Sequence, residues 1–337
     1  MKEKKFDLIT FGRSSIDLYS QNIGADFIDI KGFDAFVGGS PLNIAVGASR
    51  LGAKVSLLTG IGNDKVGDFI INFLKNQNVD TNTIARIEGA RSSAVVLGIE
   101  PPDRFPLVYY RDNAADSQVN IDHVIAAGID QYKLLEISAT ALNIEPSRSA
   151  VFYAVETAFD NNVDVVLDMD FRADQWKDLR SFGLMVRAIL PKVKIAIGTE
   201  EEILAATLQH ADQVHISHQQ ISAPEIKGDI EASIQKIIKS GPELLIVKRG
   251  SKGATIYYKD GRVQDVPGFP VEILNVLGAG DAFACGFIYG YLQGWDIYKS
   301  CRLGNASGAW VVQKSGCANA MPYYDELMQF ADSRGGL

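Results

Sequence analysis

Short apolar runs recur along the chain with little polar alternation: Leu8–Phe11, Val55–Thr59, Leu134–Ser138, Val163–Asp168, Ile195–Thr199 and Leu244–Lys248. Strands buried on both faces read this way, because neither side of the pleat meets water. Between them the apolar positions switch to helical spacing over Val66–Gln77, Ser147–Asp160, Ile230–Ser240 and Asp281–Gln293. Strand and helix in alternation predict an α/β fold, a parallel sheet covered on both sides. Two segments break the rhythm, at about 13–37 and about 91–112, the second with strand-like Ser92–Glu100 and Leu107–Arg111 around Pro101-Pro102. They read as a small β-rich insertion, of the kind that covers a sheet's carboxyl edge and excludes water. Leu208–Lys227 is polar, turn-rich and without period, and reads as a surface loop.

The 337 residues suffice for two domains or for one large α/β unit. Lys and Arg number 33 against 41 Asp and Glu, a formal charge of −8. Such a chain lacks the basic footprint that phosphate neutralisation demands, so neither nucleic acid nor a membrane surface is an expected partner. Arg13, Asp17, Lys194 and Asp281 interrupt the apolar stretches before the roughly 18 residues of a membrane span. Met1-Lys2-Glu3-Lys4-Lys5 leads into a β-like run ending at Gly12-Arg13 with no small-residue cleavage site, so a cytoplasmic location is expected. Cys285, Cys301 and Cys317 are too few and too scattered for a disulfide framework or a zinc knuckle.

The strongest chemical signal is Gly278-Ala279-Gly280-Asp281, followed by Phe283, Phe287, Ile288, Tyr291 and Leu292 at helical spacing. The glycines therefore precede a helix amino terminus, whose unpaired N–H groups and dipole favour an anion, with no Cβ to keep it away. Asp281 reads either as the helix N-cap or as a carboxylate placed to take the proton of an attacking hydroxyl. No Gly-x-x-x-x-Gly-Lys-Ser/Thr run exists, which excludes the common phosphate-binding loop. A dinucleotide fingerprint fails at its third glycine in both Gly60-Ile61-Gly62 and Gly278-Ala279-Gly280 contexts. Earlier, Val37-Gly38-Gly39-Ser40-Pro41-Leu42-Asn43 opens another helix, with Ser40 suited to the N-cap and Pro41 to the first helical position. Asn43, one turn into that otherwise apolar helix, offers both a donor and an acceptor.

These motifs, in this order and spacing, resemble those of the ribokinase-like (PfkB) carbohydrate kinases over essentially the whole chain. The resemblance implies a ribokinase-like three-layer fold: a mostly parallel sheet, helices on both faces and a small β-rich lid. It also implies one kinase domain over residues 1–337, with lid segments at about 13–37 and 91–112. By that resemblance Asp281 is the base that deprotonates a sugar hydroxyl, and Gly278, Ala279 and Gly280 form the anion hole for the γ-phosphoryl group. Asp17, Gly38, Gly39 and Asn43 would hold the sugar. ATP with Mg2+ would be the donor.

Within the family the chain is most similar to the kinases of 5-dehydro-2-deoxygluconate in inositol breakdown. The likeness lies in Gly12-Arg13-Ser14-Ser15-Ile16-Asp17-Leu18-Tyr19, Gly38-Gly39-Ser40-Pro41, Tyr110-Arg111-Asp112-Asn113-Ala114-Ala115-Asp116 and Ala320-Met321-Pro322. It implies an ATP-dependent transfer to the 6-hydroxyl of a keto-deoxy sugar acid, with Tyr109, Arg111 and Arg172 facing the acid. A planar guanidinium is the group best matched to a carboxylate. Arg172 also follows a strand-like run, at the mouth where α/β sheets bind ligands, with a surface ion pair to Asp170 or Asp174 as the lesser reading. Thr199, Lys248, Gly250, Gly253, Asn305 and Gly316 would line the nucleotide. Glu202 would order magnesium through water, with Gly198 to Glu201 as the other register, and no direct metal ligand is expected.

The chain departs from the family where Asn275-Val276-Leu277 replaces the usual Asp-Thr, which leaves a monovalent-cation site open. The other readings within the family are a 2-keto-3-deoxygluconate kinase and a fructokinase-like enzyme. A sugar-binding regulator with the same fold is the non-enzyme reading, against which stand Asp281 and both anion-hole glycines. The lid strands would allow a homodimer. His210, His215 and His218 lie close in sequence, but no helix sets a ligand spacing, so they read as a solvated loop, and His123 as a surface residue.

Overall fold

The computed structural model describes residues 4–100, 105–215 and 224–337, so Pro101, Pro102 and His218 lie outside the described residues. In chain order the first elements are β1 (Phe6–Phe11), β2 (Ser15–Ser20), β3 (Phe33–Gly38), α1 (Ser40–Arg50), β4 (Val55–Gly62), α2 (Lys65–Asn76), β5 (Ile84–Ile87), β6 (Ser93–Leu97) and β7 (Leu107–Tyr110). Then follow α3 (Ile121–Ala127), β8 (Tyr132–Ser138), α4 (Ser147–Asp160), β9 (Asp164–Asp168), α5 (Leu179–Ile189), β10 (Ile195–Thr199), α6 (Glu200–Ala206), β11 (Val214–His215), β12 (Glu225–Ile226) and α7 (Ile230–Lys239). The last are β13 (Leu244–Lys248), β14 (Ala254–Tyr258), β15 (Val263–Val266), α8 (Ala279–Leu292), α9 (Ile297–Val311), α10 (Cys317–Ala320) and α11 (Tyr324–Asp332).

The large sheet runs β15-β14-β13-β10-β9-β8-β1-β4-β5. All six strands read from the sequence lie in it and pair in parallel. The antiparallel edge of β14 and β15 and the short strand β5 escaped that reading. Side chains alternate strictly between two cores. Leu8, Leu134, Val166, Ile197 and Ile246 pack with α1, α8 and α9, while Ile9, Leu135, Val165, Ala196 and Leu245 pack with α4, α5 and α7. Both faces are thus buried, which is why the strands lack polar alternation. Within the first core Glu136 of β8 is fully buried, and neither carboxylate oxygen has a hydrogen-bond partner among the described residues. Burial, and then the charges of Asp168 and Asp281, push its carboxyl well above the usual range.

A second sheet, β3-β2-β6-β7, comes from the two segments that broke the βα rhythm. Tyr19, Val95, Leu97 and Leu107 on its inner face cluster with Leu277 and Cys317, so the sheet lies over the amino-terminal end of α8. The stretch read as a structureless loop instead holds a 3-10 turn at Ala211–Gln213 and the two-residue ladder of β11 with β12, too short to leave a periodic signal. His210 and His215 are exposed there, and His123 caps α3 through a reciprocal pair of bonds with Asn120. No cluster of metal-ligating side chains exists among the described residues, and no helix there is long and apolar enough to cross a membrane. All three cysteines are free and buried.

Candidate active site

Helices α1 and α8 bring the two sequence motifs together. A Cβ on Gly47 would stand 2.5 Å from Cys285 Sγ, so only glycine allows the two helices to approach so closely there. One turn earlier on α1, Asn43 Nδ2 donates to Asp281 Oδ2 at 2.6 Å. Gly38 is required for a similar reason, because a Cβ there would lie 1.9 Å from Asp17 Oδ2. Gly39, at φ +108°, is the N-cap of α1, which makes Ser40 the first helical residue instead of the cap. Pro41 follows within the first turn, where its missing N–H costs nothing.

Gly278 adopts the left-handed conformation and caps α8. Asp281 is therefore the third helical residue, and its side chain reaches Asn43 instead of capping its own helix. Of the amides expected to form an anion hole, that of Ala279 donates to Val276 O at 3.3 Å. The N–H groups of Gly280 and Asp281 have no acceptor among the described residues. Lys248 Nζ would stand 3.1 Å from a Cβ at Gly280, so an ammonium adjoins these free donors. The preceding turn is tied by Asn275, whose Nδ2 donates to Lys314 O at 2.7 Å and whose Oδ1 accepts from Leu277 N at 3.0 Å. This neutral amide bridges the turn directly, where an aspartate would set a carboxylate against a carbonyl.

Two cavities meet at Asp281. The larger, of about 350 Å³, is lined by Thr199, Glu202, Lys248, Gly250, Gly253 and Asn305 among others. The narrower one is lined by Arg13, Asp17, Gly39, Asn43, Tyr109 and Arg172. Asp170, Arg172, Gly278 and Asp281 belong to both. Burial, and then the charge of Asp170, push the Asp281 carboxyl upward against the pull of Asn43 and Arg172. Burial likewise raises Asp17, which accepts from Ser15 Oγ at 2.6 Å.

On the larger cavity, Thr199 and Glu202 form a reciprocal cap of α6, with Thr199 N donating to Glu202 Oε2 at 2.8 Å. Of the two glutamates offered, Glu202 is buried and lines the cavity, and Glu201 is exposed. Lys248 Nζ lies 3.2 Å from Asp168 Oδ1 and 3.7 Å from Glu202 Oε2. Burial pushes Asp168 up to about 7 against the pull of Lys248, while Asp168 and Glu202 hold Lys248 above its ordinary range despite burial. Asn305 lines the cavity, but its Nδ2 is bonded to the carbonyls of Val266 and Pro267, so it braces the wall. A Cβ on Gly253 would meet Val266 O at 2.1 Å.

Two expected positions fall elsewhere. Arg111 lines neither cavity: its Nε and Nη2 donate to Asp116 Oδ2 at 2.8 and 2.6 Å, and Nη1 to Gln175 Oε1 at 2.6 Å. Gly316 is also absent from the lining of the larger cavity and packs on Phe36 of β3, whose ring a Cβ would approach to 3.0 Å. Arg172 does face both cavities, with its Nη2 at 2.5 Å from Asp170 Oδ1. The ion pair and the cavity position thus coexist. Arg13, which the sequence reading quoted but assigned no role, lines the narrower cavity. The sign available was an arginine two residues past the end of an apolar strand run.

The family model for pfkB family carbohydrate kinases matches residues 5–323. A 5-dehydro-2-deoxygluconokinase of Clostridium tetani is 33% identical over 330 residues, covering 98% of this chain and 94% of its own. The enzyme of the same name from Geobacillus thermodenitrificans is 34% identical over the same shares. The fold is also that of an E. coli protein provisionally classed as ribokinase II, solved with ATP and Mg2+ (TM-score 0.84, 22% identity, 97% of this chain and 99% of that one). With both motifs joined around one aspartate and the family match spanning nearly every residue, the chain belongs to the pfkB family of carbohydrate kinases.

Proposed function

We propose that the protein is an ATP-dependent kinase that phosphorylates the primary 6-hydroxyl of a keto-deoxy sugar acid, 5-dehydro-2-deoxy-D-gluconate of myo-inositol catabolism, in the cytoplasm. The observation that carries this is the place of Asp281: a buried carboxylate at the junction of two cavities, beside the free amides of Gly280 and Asp281. The donor fits these residues, since the glycine-lined cavity and the Lys248 ammonium match a polyphosphate. ATP with Mg2+ supplies the transferred group, and Glu202 would order the ion through water. Asn43 aims Asp281 and Asp281 takes the hydroxyl proton. Lys248 and the helix terminus stabilise the growing charge, so positioning and electrostatics supply most of the rate.

An ATP-coupled assay across 5-dehydro-2-deoxygluconate, 2-keto-3-deoxygluconate and fructose tests the reading. The first should have the highest kcat/KM; a higher value for either other sugar would replace it. Because the base must be ionised and its carboxyl is raised, kcat/KM should fall on acidification with a midpoint above the ordinary carboxylate range. A rate flat down to pH 4 would exclude Asp281 as the base.

The sheet β3-β2-β6-β7 is proposed as a lid over the sugar, and Ile28 and Tyr110, exposed on its segments, favour pairing of two copies through it. Hydrogen exchange at 13–37, 91–100 and 105–112 should slow when the sugar is added. Equal exchange with and without sugar refutes the gating role.

A further inference from the structure

Among the buried cations lining the two cavities, Arg13 stands out. It is 8% exposed, sits two residues before the start of β2, and opens on the narrower cavity. Of the N–H donors that a guanidinium carries, one goes to Ser15 Oγ at 2.6 Å, and no other side-chain hydrogen bond of Arg13 exists among the described residues. No carboxylate there lies within ion-pair distance of it. Its remaining contact is the face of the Tyr109 ring, 5.2 Å from the guanidinium carbon to the centroid. The contrast with the other arginines is sharp. Arg172 is neutralised by Asp170, and Arg111 is bound by Asp116. The charges of Tyr109, Asp17, Asp116 and Asp170 act on it from beyond contact and favour its charged form against burial, so what it lacks is not charge balance but hydrogen-bond acceptors for its in-plane donors.

We infer that Arg13, and not Arg111, receives the carboxylate of the sugar acid. This rests on the substrate class proposed above and names the residue that selects it. The Ser15 hydroxyl fixes the arginine by accepting from Nη1 and donating to Asp17 Oδ1 at 2.6 Å, so the cation and the hydroxyl-binding aspartate are set by one linked pair of bonds. Tyr109 covers the guanidinium face and leaves its in-plane donors for a planar, bidentate anion.

The test compares kcat/KM for 5-dehydro-2-deoxygluconate and for its carboxamide in the wild type, Arg13→Gln, Arg13→Lys and Ser15→Ala, with thermal unfolding as the check on folding. Arg13→Gln should raise KM for the acid about ten- to a hundredfold and leave the carboxamide within about threefold. Arg13→Lys should keep part of the preference, as a point charge without the fork. Equal losses on acid and amide in folded protein would overturn the assignment while leaving the substrate class standing. If the wild type turns over fructose and no sugar acid, the substrate class falls and the assignment with it. Should Arg13→Gln not fold, the acid-to-amide ratio in Ser15→Ala decides: unchanged from wild type, it overturns the proposal.

Discussion

Asp281→Asn should lower kcat by roughly 10²–10⁴ with little change in folding. The side chain sits at the third position of α8 and caps nothing, so the helix loses no cap, and an amide of the same shape can still accept from Asn43 Nδ2. What disappears is a proton-accepting oxygen at the junction of the cavities, with a helix amino terminus beside it. The charge lost is also one that burial and Asp170 already disfavour, so the variant should unfold at the same temperature or slightly above. Thermal unfolding and steady-state kinetics on one preparation check both halves. Turnover within a few-fold of wild type in folded protein would remove Asp281 from the mechanism.

Arg111→Ala should instead act on the fold. Its side chain is 7% exposed and that of Asp116 is fully buried, so removing the arginine strands a carboxylate in the interior. Breaking a buried pair from one side costs about 3–5 kcal/mol. The arginine follows β7 and also binds Thr140 O and Gln175, so it anchors the root of the smaller sheet to the loops after β8 and β9. Denaturant unfolding should show the loss. Replacing both partners, Arg111→Met with Asp116→Leu, should recover much of it, since no charge is then left unpaired. Preference for the acid over its carboxamide should survive in the folded fraction of the single variant. A collapse of that preference would return Arg111 to the substrate.

The layers were legible because burial on both faces writes itself into composition: a strand with no water on either side needs apolar residues at every position, as in Leu244-Leu245-Ile246-Val247. The antiparallel edge was not, since β15 is exposed at three of its four positions and looks like loop. Helix α1 was read to within one residue of its start. The error, placing the cap at Ser40, arose because Gly39 caps through its backbone at positive φ, which no side-chain pattern announces.

The two glycine motifs by themselves determined that a helix terminus would present free N–H donors with an aspartate beside them, because those properties are local: backbone conformation, a free N–H, a first-turn position. The sequence likewise supplied every arginine and every carboxylate of the site. Which of them pair was decided only by the tertiary structure. Arg111 is five residues from Asp116 and is claimed by it, Arg172 is claimed by Asp170, and Arg13 is left facing the cavity. Guanidinium groups are chemically alike along a chain. What distinguishes a structural cation from a recognising one is whether folding has already given it a carboxylate in contact, and that depends on distances that spacing in sequence does not fix.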